Sequence, residues 1–217
     1  MAADNLRRMA RLLDKLPSPW RAIVETVLTL AVAGAIAYGA QAFVVKPYSV
    51  PSGSMEPTLE PGDYVLADRL SLDFSDPKRY QIVVFHPPHC RAGHNDSKGV
   101  CDTTSRKVRD GAAGTTFIKR VIGLPGDTVI PHADGQLWVK PAGGGRAFHL
   151  HEPYVKDGRE LAGLPLPRTV IPPGYYMLLG DNRLLSDDSR AWGLEPRGDI
   201  VGVARVRYWP LGRIGIL

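Results

Sequence analysis

The sequence predicts a mainly β extracytoplasmic domain of antiparallel sheets carried on a single N-terminal transmembrane helix, and three observations predict it. An uncharged run from Thr26 to Val45 follows a basic flank. Beyond it, short β-branched and aromatic segments alternate with Gly/Pro punctuation. No long amphipathic helical pattern occurs in residues 46–217, and many short strands without intervening helices pack as sheets on one another.

The flank comes first. Residues 1–21 hold Arg7, Arg8, Arg11, Lys15 and Arg21 against Asp4 and Asp14. Pro17-Ser18-Pro19 ends any earlier helix and offers Ser18 as an N-cap with Pro19 in the first helical position. Residues 22–45 then form the expected span, with Glu25 at its cytoplasmic edge and about 20 uncharged residues behind it, enough to cross a bilayer core. The positive-inside rule places the N-terminus in the cytoplasm and residues 46–217 outside. Ala40-Gln41-Ala42 imitates a secretory cleavage site, but the apolar run exceeds the 7–15 residues usual for a cleaved signal. An uncleaved anchor in the cytoplasmic membrane is therefore expected.

At 217 residues and 44% hydrophobic content, the chain has room for that anchor and one domain of ordinary size. Its net charge of +5 sits partly in the flank. No recognition-helix, zinc-finger or RNA-binding aromatic pattern accompanies the charge, so no nucleic-acid partner is expected.

Within 46–217, strands are expected at Tyr64–Ala67, Ile82–Phe85, Phe117–Ile122, Gln136–Val139, Tyr175–Leu179 and Val201–Tyr208. Turns are expected at Pro61-Gly62-Asp63, Pro125-Gly126-Asp127 and Pro173-Gly174, and a hairpin tip at Gly143-Gly144-Gly145. Residues 86–116 are polar and patternless, a loop insertion that carries Cys90 and Cys101. On the oxidising side of a membrane the two cysteines pair most simply as a disulfide closing that loop. His86, His89 and His94 allow a zinc alternative, but their spacing matches no standard site and no metal is expected.

Three stretches could carry chemistry. Val50–Leu59, VPSGSMEPTL, holds two serines around Gly53 between two prolines; it reads as a turn, or as a rigidly presented nucleophile at Ser54. A serine needs a base, and none of the histidines, His86, His89, His94, His132, His149 and His151, has an obvious acidic orienter. In TTFIKRVIGLPGD, residues 115–127, strand alternation sets Lys119 on one face with Phe117 and Val121. Such a lysine either snorkels at an edge or, desolvated, turns neutral enough to take a proton. GDNRLLSDDSRAWG, residues 180–193, is an exposed acidic turn or a loop reaching back to a site.

The order anchor, PSGSMEPTL, PGDYVLADR, FIKRVIGLPGD, GDNRLLSDDSRAWG and closing RVRYWPLGRIG resembles the type I signal peptidases, membrane-bound serine proteases with a Ser/Lys dyad. EPYVKDG and IPPGYYMLLGDNR are similar to connecting segments of family members from Gram-positive bacteria. The resemblance implies Ser54 as nucleophile and Lys119 as general base. It implies Ser52 and the Ser54 backbone N–H as the oxyanion hole, and Ser186 as the residue orienting the amine. Asp188 and Arg190 would form a supporting ion pair, with Asp181 also in support. It further implies two antiparallel β regions, shared with self-cleaving Ser/Lys repressors, the second inserted at residues 128–172.

The expected function is endoproteolytic removal of N-terminal signal peptides, with small residues one and three before the cut, and no cofactor. The implied partners are the preprotein, the lipid bilayer and, as a further associate, the secretion machinery. Two alternatives stand beside it: a self-cleaving peptidase, and a tethered β domain that binds without cutting. The chain departs from the family pattern at Leu184-Leu185, where an acidic-polar pair is usual, and at Tyr80-Gln81 ahead of the IVVF strand, where Gly-Asp is common.

Overall fold

A computed structural model describes residues 18–43, 45–86, 116–155 and 166–217. The chain divides into two units, Met1–Val44 and Val45–Leu217. In the first, the described residues form helix α1, Ser18–Phe43, 26 residues and so about 39 Å long. Trp20, Ile23, Val27, Leu30 and Val32 are exposed on it. The hydroxyls of Thr26 and Thr29 donate to the carbonyls of Ala22 and Glu25 at 2.8 Å, which satisfies both groups within the helix. Among the described residues, however, no helix is long and apolar enough to cross a membrane. The described side chains of α1 include Glu25 and two threonines but not the whole Thr26–Val45 run, so the expectation of a spanning helix is carried by the sequence and not by the structure.

The second unit is mainly β. Its larger sheet has eight strands: β1 (Val45–Ser49), β2 (Tyr64–Asp68), β3 (Ile82–Phe85), β4 (Phe117–Gly123), β9 (Tyr175–Leu179), β10 (Glu195–Pro196), β11 (Ile200–Trp209) and β12 (Gly215–Ile216). They lie in the order β1-β2-β11-β3-β4-β9-β10, with β12 on β11. The smaller sheet, β7-β6-β5-β8, is built from β5 (Thr128–Pro131), β6 (Leu137–Lys140), β7 (Phe148–His149) and β8 (Thr169–Val170). Every pairing is antiparallel. Strand β11 serves β2, β3 and β12, and its register slips against β2 and β3; such bulges bend a long strand so that one chain segment serves several neighbours.

The six expected strands are all present, shifted by no more than about a residue at their ends. The short β7, β8, β10 and β12 and the four-residue helices α2 (Ser71–Phe74) and α3 (Ser189–Trp192) add to them. Residues 87–115, with Cys90, Cys101, His89 and His94, fall outside the described residues, and the expected disulfide with them.

Strand β4 touches three apolar clusters. Ile118 packs with Val50, Met55, Leu59, Val65 and Val84. Val121 packs with Val83, Phe85, Tyr176, Leu178 and Ile200, and Ile122 joins the smaller sheet through Val129, Leu137, Val139 and Ile171. A strand buried on both faces is held rigidly along its length, which matters for the two charged residues in its middle, Lys119 and Arg120.

Candidate active site

The Ser54 loop is pinned at both ends. Val50 donates to the Asp63 carbonyl at 2.8 Å and accepts from Gly62 at 2.9 Å, extending the β1/β2 ladder by one step. Buried Val50, Met55 and Leu59 hold the loop down, and Gly53–Met55 forms a single 3-10 turn between them. A second segment fastens the turn from above. The Asn182 backbone N–H donates to the Ser54 carbonyl at 3.1 Å, and its Nδ2 donates to the Gly53 carbonyl at 3.1 Å.

Lys119 reaches this loop from the middle of β4. Its Nζ lies 2.7 Å from Ser54 Oγ, across 65 residues of chain, and 3.1 Å from the Ile118 carbonyl. Ser54 is 6% exposed and Lys119 4%. Burial lowers the Lys119 pKa to about 8. Asp188, Asp187 and Asp181 oppose that shift by favouring the ammonium, and Arg190 reinforces it. Ser52 Oγ stands 3.3 Å from Ser54 Oγ on the solvent side.

The GDNR loop lies against the Ser54 loop. Gly180 has no room for a side chain, because a Cβ there would fall 2.2 Å from Ser186 Oγ and 2.5 Å from the Ser54 carbonyl oxygen. Ser186 is buried beside the site, yet its hydroxyl donates to the Asp187 carbonyl at 3.4 Å, and among the described residues no hydrogen bond joins it to Lys119. The expected orienting contact is thus not formed in this geometry; the amine's bonds go to Ser54 and Ile118 instead.

Asp188 and Arg190 pair as expected, Nε to Oδ1 and Nη2 to Oδ2 at 2.9 Å, both fully buried. Asp188 also accepts from the Gly180 N–H at 3.0 Å and caps α3. Arg190 donates on to the carbonyls of Arg183 and Ser186 at 2.8 and 3.2 Å, so the pair knits the whole loop.

Asp181 takes a bidentate bond from Arg120 at 2.8 and 2.6 Å and a hydroxyl bond from Thr58 at 2.5 Å. Arg120 in turn lies 3.9 Å above the Tyr154 ring. Tyr154 donates to Glu152 at 2.9 Å, and Glu152 pairs with Arg183 at 2.6 Å. A chain of charges thereby ties the Ser54 loop, β4 and the GDNR loop to the segment after β7.

Asn182, Arg120, Thr58, Glu152 and Tyr154 were not among the site residues expected from sequence. The one signal for Arg120 was a second cation inside an otherwise apolar strand. Of the six histidines, His86, His132, His149 and His151 are described. His132 and His149 flank Trp138 on the smaller sheet, with centroids 5.1 and 5.9 Å away. Leu184 and Leu185 are both exposed, an apolar lip on the loop. Among the described residues no group of three or more His, Cys, Asp or Glu is placed to hold a metal.

Against known proteins, residues 23–209 match the family model described as signal peptidase, peptidase S26. The chain is 36% identical over 207 residues to a protein named probable signal peptidase I-1 from Synechocystis sp., covering 93% of this chain and 90% of that one. It is 32% identical over 196 residues to signal peptidase IB of Staphylococcus aureus, covering 87% and 90%. A crystal structure of a signal peptidase I from Enterococcus faecalis V583 is 27% identical, covering 59% of this chain and 97% of that one, and at a TM-score of 0.37 it adds nothing to the assignment. On the family model and these relatives, the chain belongs to the signal peptidase family, peptidase S26.

Proposed function

We propose that this signal peptidase removes N-terminal signal peptides with Ser54 as nucleophile and Lys119 as general base, while anchored by α1 in the cytoplasmic membrane with residues 46–217 outside. The observation that carries the reading is the 2.7 Å approach of a buried lysine amine, its pKa lowered to about 8, to a buried serine hydroxyl. In its neutral form Nζ accepts the Ser54 proton as Oγ attacks the scissile carbonyl. The oxyanion that forms is met by the Ser52 hydroxyl and the Ser54 backbone N–H. The Lys119 ammonium gives its proton to the leaving amine, and the carboxylates of Asp188, Asp187 and Asp181 favour that charged state while it lasts. Neutral again, Lys119 takes a proton from the water that attacks the acyl ester and returns it to Ser54 Oγ as the ester C–O bond breaks, freeing the signal peptide and Ser54.

Strand β4 pairs with β3 through residues 117–120 but with β9 only at Arg120, Val121 and Gly123. Among the described residues the second edge of Phe117–Lys119 is therefore open, and β1 pairs with β2 alone. An extended preprotein segment adds there as a strand, with small residues one and three before the cut. The anchor rests on the basic flank and the uncharged Thr26–Val45 run. The bilayer is thus one partner, and the secretion machinery delivers the other.

The test is cleavage of a preprotein by the detergent-solubilised full chain. Ser54→Ala and Lys119→Arg should each abolish turnover while the fold persists by circular dichroism, since arginine stays charged and accepts no proton. Near-normal turnover by either variant refutes the dyad.

A further inference from the structure

A cavity of about 450 Å³ opens along β1, and Lys46, Tyr48, Ser49, Arg69, His86 and Thr116 are among its lining residues. Among the described residues no carboxylate lines it. Lys46 and Arg69 are both exposed, and neither takes part in an ion pair among the described residues. Instead both gather about one phenol on the cavity wall. The Lys46 ammonium lies 5.5 Å from the Tyr48 ring centroid, and the Arg69 charge acts on the Tyr48 hydroxyl, countering part of the upward shift that burial imposes.

The cavity lies on the track that leads to the dyad. Ser49 precedes Ser54 on the same segment, and Thr116 immediately precedes β4, whose Phe117–Lys119 edge is open among the described residues. At about 3.3 Å per extended residue, and with the 3-10 turn at Gly53–Met55 shortening the first path, these two wall residues stand at most roughly 16 and 10 Å along the chain from Ser54 and Lys119. A substrate strand laid on that track puts side chains four to six residues from the scissile bond into the cavity.

We propose that this cavity is a subsite for an acidic side chain of the preprotein, four to six residues before the cut, held by Lys46 and Arg69. The inference rests on the proposed function. Its direction follows from the two anchors: a signal peptide's apolar core precedes its cleavage site, and Lys46 follows closely on Phe43, the last residue of α1. Residues between the apolar core and the cut therefore pass the Lys46 end. A carboxylate there gains two exposed cations, a neutral side chain gains only hydroxyl contacts, and a lysine is repelled.

The experiment uses the full chain in detergent and peptides with Ala one and three before the cut. Glu, Gln or Lys is placed in turn at each position four to six before it. The expected result is a kcat/KM about three- to tenfold higher for Glu than for Gln at one of these positions, with Lys below Gln. The ratio should shrink towards one in 1 M salt and in the Lys46→Gln/Arg69→Gln double variant. Lys46→Glu/Arg69→Glu should reverse the order and prefer Lys, a swap that a merely structural role would not produce. Equal rates for Glu and Gln, an unchanged ratio in the double variant, or an acidic preference confined to residues after the cut would each overturn the subsite. Failure to cut even the Gln peptide would instead overturn the peptidase reading beneath it.

Discussion

If a lysine is the base, the rate must follow the titration of that lysine, and the structure says where. Burial moves the Lys119 amine from 10.5 to about 8. A shift of that size disfavours the buried ammonium by about 3 kcal/mol and raises the neutral fraction at pH 8 from roughly 0.3% to about half. Initial rates of peptide cleavage between pH 6 and 9.5 should therefore climb about tenfold per unit at first and level off above a midpoint near 8. The sign for stability is the same. The folded pKa lies below the unfolded one, so the unfolded chain binds more protons between about 8 and 10.5, and stability from this group rises with pH through that window. Below pH 8 its full penalty is present. Lys119→Met removes it, and urea titration at pH 7 should show an inactive variant that is more stable by up to about 3 kcal/mol. A rate midpoint near 6.5 would point to an imidazole, and a Lys119→Met variant less stable than the parent would refute the desolvation argument.

Two further expectations come from residues outside the dyad. Glu195 is fully buried in β10, neither carboxylate oxygen has a hydrogen-bond partner among the described residues, and burial reinforced by Asp199 pushes its pKa up to about 9. The folded state therefore holds a proton that the unfolded chain sheds near 4.5, and stability should fall by about 1.4 kcal/mol per unit as pH rises from 5 to 8; thermal melts across that range should show a markedly flatter profile for Glu195→Gln, and parallel profiles would sink the idea. Asn182→Ala cuts the side-chain bond to the Gly53 carbonyl and leaves the backbone bond to Ser54, so kcat should fall several-fold with KM changed less, alongside about 1 kcal/mol of stability in urea titration; an unaltered kcat would mean that the loop holds its own shape.

The candidate site stretches and the longer strands were legible in the chain itself, because both are written in short-range pattern. Alternation and β-branching mark Ile82–Phe85 and Tyr175–Leu179 wherever they end up, and the ordered boxes around Ser54, Lys119 and Asp188 carry the family. Strand β1 was not legible, since Pro47 interrupts it and its edge position tolerates that interruption. The two-residue strands are too short to show any period. Only the tertiary structure decided the rest, for reasons of distance and burial. Arg120 sits beside Lys119 in sequence, but its partners Asp181 and Thr58 lie 61 and 62 residues away, so its role as a brace emerges only when β4, the Ser54 loop and the GDNR loop converge. Glu195, in a strand of two residues that shows no period, is buried where that strand pairs with Tyr176. Ser186 packs against Gly180 beside the Ser54 carbonyl and turns its hydroxyl to the Asp187 carbonyl. A side chain's partner, its water and therefore its pKa are properties of what folds around it, and in Lys119 burial brings an ordinary strand cation down to a pKa of about 8.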